Sequence, residues 1–270
     1  MENILKVEIS RIKDLLFIKE EEGGLGKFMD STYLKTSEQA GIGEKETDVI
    51  VFKTIKDAIE HNMKLVMLRP EYVKSARKSI DSQNSGVLVG TVIDFPNGNG
   101  SVGDKIKEAS EAIINGADEL DFVVDYQAFK SGNIEKVQEE VLEGTRVGLV
   151  GGTKVKWIIE SAALTETETA AITELIRNVV VETFGEEKAS DVFVKTSTGF
   201  FKPEDGSPGG ATEDAVSIMS ANSGPLKVKA SGGIYSVEDA EKMINAGATR
   251  LGTSAAKDIM QGNKIEKTDY

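Results

Sequence analysis

Short apolar runs alternate with longer helical stretches along almost the whole chain, and this alternation limits the possible fold more than any other feature. The runs are rich in strand-forming residues, and the stretches between them are long enough for crossover helices. We place strands at residues 27–32, 64–69, 87–95, 119–125, 155–161, 191–197, 227–231 and 250–253. Eight such units in 270 residues predict a single α/β domain over 1–270, a (β/α)8 TIM barrel.

Helix boundaries are marked on both sides of these strands. Capping-box spacing opens three helices, at Ser101 with Asp104, Thr165 with Glu168 and Ser236 with Asp239. Gly116 and Gly247 each follow a helical stretch and precede a strand, where a left-handed C-cap is expected. The local signals therefore agree with the strand positions.

The segment 1–22 has the pattern of one further helix. Leu5, Ile9, Ile12 and Leu16 are spaced as a single apolar stripe requires, with charges between them. The segment lacks the apolar core and the cleavage site of a targeting peptide, and it is too charged to span a membrane. We expect an N-terminal helix packed on the barrel, and a C-terminal tail over 261–270.

Charge and rare residue types exclude several functions. The 32 Lys and Arg residues against 45 Asp and Glu give a net charge of -13 with no basic patch, so we expect neither nucleic acid nor a membrane as partner. There is no cysteine, and His61 is the only histidine. The absence of cysteine excludes a thiolate nucleophile and a thiolate zinc site, and the single histidine disfavours a histidine zinc site and a Ser-His-Asp triad. We expect no metal, no cofactor and a cytoplasmic protein.

Three charged residues lie within or at the end of apolar strands, where the active sites of barrels are found. Lys195 and Lys229 close neighbouring strands, and Asp121 lies near the start of an earlier one. A buried aspartate needs a cation, and two adjacent lysines depress each other's pKa. A partly neutral lysine can attack an aldehyde, so the trio predicts a Schiff-base site. The alternative is an ion-pair network at the barrel mouth, or lysines that are solvated surface charges.

Glycines follow the last two strands. Residues 231–233 (SGG) and 252–254 (GTS) each lie between a strand and a helical stretch. Barrels often bind phosphate at these two loops, since glycine lets an anion approach backbone N–H groups. The alternative is a pair of tight turns that simply require glycine.

Two other loops are notable. Residues 98–103 (GNGSVG) form a GxGxxG that follows a strand and opens a helix, with Asp121 beyond it, so an NAD(P)-dependent oxidoreductase is an alternative function. Two strand-helix units precede this motif, which a doubly wound nucleotide-binding fold does not explain. Residues 200–210 (FFKPEDGSPGG) form either a lid over the barrel mouth or an ordinary solvated loop.

At these residues the chain resembles the deoxyribose-phosphate aldolase family, from about Phe28 onward. The similar segments are ADELD at 117–121, VKTSTGF at 194–200, GGAT at 209–212 and KASGGI at 229–234. Further similar segments are GTVIDFP at 90–96, KWIIE at 156–160 and RLGTS at 250–254. The GxGxxG then becomes the turn after a Phe-Pro motif of that family.

The resemblance implies a metal-free class I aldolase that reversibly splits 2-deoxyribose 5-phosphate into glyceraldehyde 3-phosphate and acetaldehyde. It implies that Lys195 forms the imine, that Lys229 keeps Lys195 nucleophilic, and that Asp121 moves protons with Lys229 and a water. The phosphate would be held by Thr198, Gly199, Gly232, Gly233, Gly252 and Ser254. Tyr270 is similar to a C-terminal tyrosine that relays protons in some members. We expect a homo-oligomer, either a dimer or a tetramer.

The chain departs from the family pattern at several positions. Ser31 stands where the family usually has histidine, Met67 stands where cysteine is common, and the loop after Phe200 is longer than expected. These departures concern the substrate range and the lid. A non-catalytic sugar-phosphate-binding barrel also remains an alternative, because fold does not dictate function.

Overall fold

A computed structural model describes residues 24–265. Within them, eight parallel strands form a closed barrel in chain order, and β1 pairs with β8 to close it. The strands are β1 Met29–Tyr33, β2 Leu65–Leu68, β3 Leu88–Ile93, β4 Glu119–Val123, β5 Lys154–Ile158, β6 Val192–Lys195, β7 Lys227–Ser231 and β8 Arg250–Thr253. The (β/α)8 TIM barrel is therefore confirmed. The expected N-terminal helix over 1–22 and Tyr270 lie outside the described residues.

Helices connect the strands on the outside of the barrel. They are α1 Ser37–Ala40, α2 Glu44–Glu60, α3 Val73–Ser82, α4 Val102–Ile114, α5 Tyr126–Lys130, α6 Ile134–Val150, α7 Glu166–Ala189, α8 Glu213–Asn222, α9 Val237–Asn245 and α10 Ala256–Met260. Short 3₁₀ turns lie at Gly24–Phe28, Pro70–Tyr72 and Ser161–Ala163. No helix among residues 24–265 is both long and apolar enough to cross a membrane.

The predicted caps are confirmed. Ser101, Thr165 and Ser236 each accept a hydrogen bond from the backbone N–H three residues later, at 3.1, 3.2 and 3.1 Å. Gly116 and Gly247 follow α4 and α9 with φ of 97° and 111°, values that a residue with a Cβ rarely adopts.

Several strands end earlier than the sequence predicted. Residues 94–95, 124–125, 159–161 and 196–197 leave the barrel and form its mouth. Asp94 and Glu160 take positive φ values of 52° and 53°, which are incompatible with an extended strand. The apolar run thus continues beyond the point where strand pairing stops, and this places polar side chains over the barrel opening.

The barrel interior has two unlike walls. On β2 and β3, Leu65, Met67 and Val92 form a buried apolar cluster with Leu34 from the loop after β1. The strands β1, β4, β5 and β8 instead contribute charges that meet across the interior. Arg250 donates to Glu119 at 3.0 and 3.1 Å and to Asp30 at 2.8 Å. The larger apolar core lies between the strands and the outer helices.

Candidate active site

The structure brings Lys195, Lys229 and Asp121 together inside the barrel. The Nζ atoms of Lys195 and Lys229 each lie 2.9 Å from Oδ2 of Asp121. Lys195 and Lys229 are register partners on neighbouring strands, so their side chains leave the sheet side by side. All three are buried, with exposed fractions of 1% or less. The charge contacts therefore have little access to water.

Burial is the main reason that Lys195 can lose its proton. Burial lowers the pKa of Lys195 from 10.5 to about 8, Asp121 opposes this shift, and the nearby Lys229 cation adds to it. At pH 7 about a tenth of such amines are neutral, against well under one in a thousand for an ordinary lysine. The sequence predicted repulsion between the two lysines as the cause, whereas the structure makes repulsion the smaller contribution.

Asp121 remains a carboxylate in this environment. Burial alone would raise its pKa, but the cations of Lys156, Lys195 and Lys229 hold that pKa well below its usual range. Asp121 is the third residue of β4, where the extended backbone directs its side chain into the barrel. It is therefore available as an acceptor and not as an acid at neutral pH.

Lys156 is the important residue that sequence reasoning passed over. Its Nζ lies 2.5 Å from Oδ1 of Asp121 and 2.6 Å from Oε2 of Glu119. Burial lowers its pKa, but Asp121, Glu119 and Asp30 outweigh burial and raise it, so Lys156 stays charged. Lys156 occupies one oxygen of Asp121 and leaves the other to Lys195 and Lys229. The sequence does contain a signal for Lys156, because this residue interrupts an apolar strand in the same way as Asp121 does.

The charges of this cluster do not balance. Lys229 also contacts Asp30 at 2.7 Å. The cluster contains the four cations Lys156, Lys195, Lys229 and Arg250 and the three carboxylates Asp30, Glu119 and Asp121. One positive charge is in excess, so the loss of one proton makes the cluster neutral. Lys195 touches one carboxylate whereas Lys156 and Lys229 each touch two, so fewer contacts stabilise the charged form of Lys195.

A cavity of about 550 Å³ lies between the loops that follow β6 and β7 and contains part of the predicted phosphate site. Gly199, Gly232 and Gly233 line it, together with Lys202 and Tyr235. The three glycines have φ of 86°, 80° and 77°, so their backbone takes left-handed conformations that only glycine adopts easily.

The other predicted phosphate residues are placed differently. Gly252 and Ser254 are not among the residues that line this cavity. A Cβ on Gly252 would lie 2.4 Å from Oγ of Ser231 and 3.0 Å from Cε of Lys229, so the absent side chain leaves room for that lysine. Thr198 is buried and donates from its backbone N–H and its hydroxyl to Glu160.

The loop 200–210 forms one wall of the cavity. It begins with Phe200 packed edge-on against Phe95, with 5.2 Å between ring centroids. It ends with Gly210 so close to Gly232 that a Cβ would lie 2.5 Å from the carbonyl carbon of Gly232. Ala211 then donates to the backbone of Ser231 and Gly232 at 3.1 Å. The loop thus joins the ends of β6 and β7 over the predicted phosphate position.

The GxGxxG at 98–103 has a structural explanation. The Lys105 amine donates to the carbonyls of Gly98 and Val123 at 2.8 Å, and Gly100 donates to Asp94 at 2.8 Å. A Cβ on Gly98 would lie 2.6 Å from the Val123 side chain. The motif also belongs to the third strand-helix unit of a closed barrel, so the doubly wound sheet that the dinucleotide alternative requires is absent from residues 24–265.

Comparisons with known proteins agree with this geometry. The family model described as DeoC/LacD family aldolase matches residues 29–263. A deoxyribose-phosphate aldolase of Staphylococcus haemolyticus is 41% identical over 245 residues, covering 90% of this chain and 98% of the relative.

Solved structures give the same result. The deoxyribose phosphate aldolase of Aeropyrum pernix, described as having a unique tetrameric structure, superposes with a TM-score of 0.72 at 26% identity, covering 92% of this chain and 94% of that chain. An aldolase designated QR15 superposes with a TM-score of 0.70 at 34% identity, covering 88% and 94%. Together with the buried lysine pair in a closed barrel, these matches show that the chain belongs to the DeoC/LacD family of aldolases.

Proposed function

We propose that this protein reversibly cleaves 2-deoxyribose 5-phosphate into glyceraldehyde 3-phosphate and acetaldehyde through a Schiff base on Lys195. The observation that carries the proposal is the buried Lys195 amine, with a pKa lowered to about 8, at 2.9 Å from Asp121. The names of the related aldolases indicate the substrate. Lys229 and Lys156 support the assignment because they keep positive charge beside the attacking amine.

The chemistry follows from these positions. The neutral Lys195 amine attacks the C1 aldehyde of the open-chain sugar, and loss of water gives an iminium. The C2–C3 bond then breaks, its electron pair moves into an enamine, and the C3 hydroxyl loses its proton as glyceraldehyde 3-phosphate leaves. Protonation of the enamine at C2 and hydrolysis release acetaldehyde and regenerate the amine.

Proton transfers fall to Asp121 and Lys229, acting with a water. Asp121 is the carboxylate closest to the reacting amine, and Lys229 shares its Oδ2 atom. Tyr270 is a further proton relay by resemblance alone, since it lies outside the described residues. We assign the phosphate first to Gly199, Gly232 and Gly233, which line the cavity, and Thr198, Gly252 and Ser254 complete the proposed set.

We also propose that the chain works as one barrel domain in a homo-oligomer, and that its reaction uses neither a metal ion nor an organic cofactor. The Aeropyrum pernix relative, described as tetrameric, supports the assembly. Among residues 24–265, no three His, Asp or Glu side chains cluster so that they could hold a metal ion. Sedimentation velocity would test the assembly.

Two measurements test the reaction. Acetaldehyde release from 2-deoxyribose 5-phosphate in the presence of a chelator tests the reaction, the substrate and metal independence together. Borohydride reduction in the presence of acetaldehyde, followed by mass spectrometry, should leave a stable adduct on Lys195. If sugar phosphate bound normally without turnover and without an adduct, the protein would instead be a non-catalytic sugar-phosphate binder.

A further inference from the structure

Glu160 is a buried carboxyl group at the mouth of the barrel to which the reaction above gives no role. It lies two residues beyond the end of β5 and is 1% exposed. Its backbone has φ 53° and ψ 61°, in the left-handed region that residues other than glycine rarely adopt. Such conformations persist only where surrounding contacts fix them, and they are concentrated at functional sites.

The contacts of Glu160 reach the turn that follows Lys195. Its carboxylate accepts a hydrogen bond from the Thr198 backbone N–H at 3.2 Å and another from the Thr198 hydroxyl. The Thr198 Oγ1 atom in turn accepts from the backbone N–H of Phe200 at 3.1 Å. Gly199 lies between these two fixed points, and it lines the cavity. The carboxyl group therefore determines the conformation of the turn 198–200.

The segments that follow β5 and β6 are joined at a second point. The Ser161 backbone N–H donates to the carbonyl of Thr196 at 2.8 Å, directly beside the Glu160 contact. Lys195 lies three residues before this turn, so the turn connects the reacting amine to the cavity. A change in the turn would shift the cavity relative to the amine.

The charge environment of Glu160 differs from that of the other buried carboxylates at the site. Glu119 and Asp121 are each paired with two or more cations, whereas Glu160 takes part in no ion pair among residues 24–265. Burial accordingly raises the pKa of Glu160 to about 7, and the hydrogen bonds from Thr198 and the charge of Lys195 lower it only in part. A group that is unfavourable to bury and lies at the site is a candidate for a functional role.

We propose that Glu160 is a positioning residue whose carboxyl group holds the turn 198–200 so that Gly199 presents its backbone to the phosphate of the substrate. This inference rests on the phosphate site of the proposed function. Glu160 acts through Thr198 and does not touch the reacting atoms. The chemical class recognised at this turn is a phosphate monoester.

The test measures phosphate binding separately from chemistry. Isothermal titration calorimetry with inorganic phosphate would be run on the full chain and on the variants Glu160→Ala, Thr198→Val and the double variant. We expect each single variant to bind phosphate about tenfold more weakly. We expect the double variant to be no weaker than the singles, because both substitutions break one relay.

Two conservative substitutions and one control complete the experiment. Thr198→Ser keeps the hydroxyl and should bind phosphate as the wild type does, while Glu160→Gln keeps one acceptor oxygen and should be intermediate. Thr173→Val removes a buried hydroxyl that donates to Thr169 within α7, so it controls for a general loss of stability. That variant should retain wild-type phosphate affinity.

The outcomes separate the two proposals. Unchanged phosphate affinity in folded Glu160→Ala and Thr198→Val, additive losses in the double variant, or a wild type that does not bind phosphate would each overturn the role of Glu160. Absence of a borohydride adduct on Lys195 would overturn the Schiff-base proposal instead. Acetaldehyde carries no phosphate, so the adduct that it forms should persist in Glu160→Ala.

Discussion

Two buried lysines show how one residue type serves structure in one region and chemistry in another. Lys105 on α4 donates to the carbonyls of Gly98 and Val123 at 2.8 Å and pairs with Glu140 on α6. Lys195, inside the barrel, contacts one carboxylate, and its neighbours include two further lysines. An ammonium group has three donors, so Lys105 is fully satisfied and Lys195 is not. A buried lysine becomes a candidate nucleophile where acceptors are few and cations are close.

The largest expected effect is the loss of turnover in Lys195→Leu. This substitution removes the proposed nucleophile and also the excess positive charge, so aldolase activity should fall by about 10⁴-fold or more while the fold persists. Acetaldehyde release and circular dichroism would be measured together. Activity close to that of the wild type would remove Lys195 from its proposed role.

The second expected effect is on stability, in Lys105→Met. This change leaves the buried Glu140 without its cation and two carbonyls without a donor, so the free energy of unfolding should drop by about 3–5 kcal/mol. Urea unfolding would measure the loss, with Lys195→Leu as the matched variant that should show little. Equal losses of unfolding free energy in the two variants would contradict the different roles of Lys105 and Lys195.

The third expected effect is a pH dependence of the unfolding free energy that Glu160 causes. Its pKa is raised by burial from 4.5 to about 7, so the folded state favours the protonated form. That stabilising contribution is complete below about pH 4.5 and is lost as the pH rises through 7. Glu160→Gln has no carboxyl group to titrate at this position. The unfolding free energy of the variant relative to that of the wild type should therefore rise by about 3 kcal/mol between pH 4.5 and 8. A difference that did not vary with pH would contradict a buried, titrating carboxyl group.

The smallest expected effect is in Lys229→Met. Removal of this cation raises the pKa of Lys195, since Lys229 is one of the groups that lower it. At pH 7 the neutral fraction of Lys195 and kcat/KM should fall by about tenfold, and the acid limb of the pH profile should move to higher pH. A fall in rate without that movement would show that Lys229 does not set the pKa of Lys195 and would leave it only the proposed role in proton transfer.

Sequence patterns predicted the strands and the central charged residues better than they predicted the residues that support the site. The limits of β7 and β8 coincide with the expected ones, because lysine or arginine opens each strand and a polar loop ends it. Asp121 was identified because aspartate is unusual in a strand. Both signals are local and can be seen in a single stretch of chain.

The contribution of Glu160 could not be predicted in this way. Glutamate gives no local preference for positive φ, and its partner Thr198 lies 38 positions later in the chain. The strand predicted at 155–161 would have placed Glu160 in extended backbone instead. The sequence also could not show that burial lowers the pKa of Lys195 more than repulsion does, because burial depends on how the closed barrel excludes water.

The ion pairs inside the barrel also affect how any pH profile of this protein must be interpreted. Arg250 shares Asp30 with Lys229 and Glu119 with Lys156, and both lysines contact Asp121. Protonation at one position therefore alters proton affinity at every other position in the set. A kinetic titration reports macroscopic constants that belong to the whole set. Arg250 belongs to this set although it shares no carboxylate with Lys195, so we expect its replacement to shift the pH profile of the reaction.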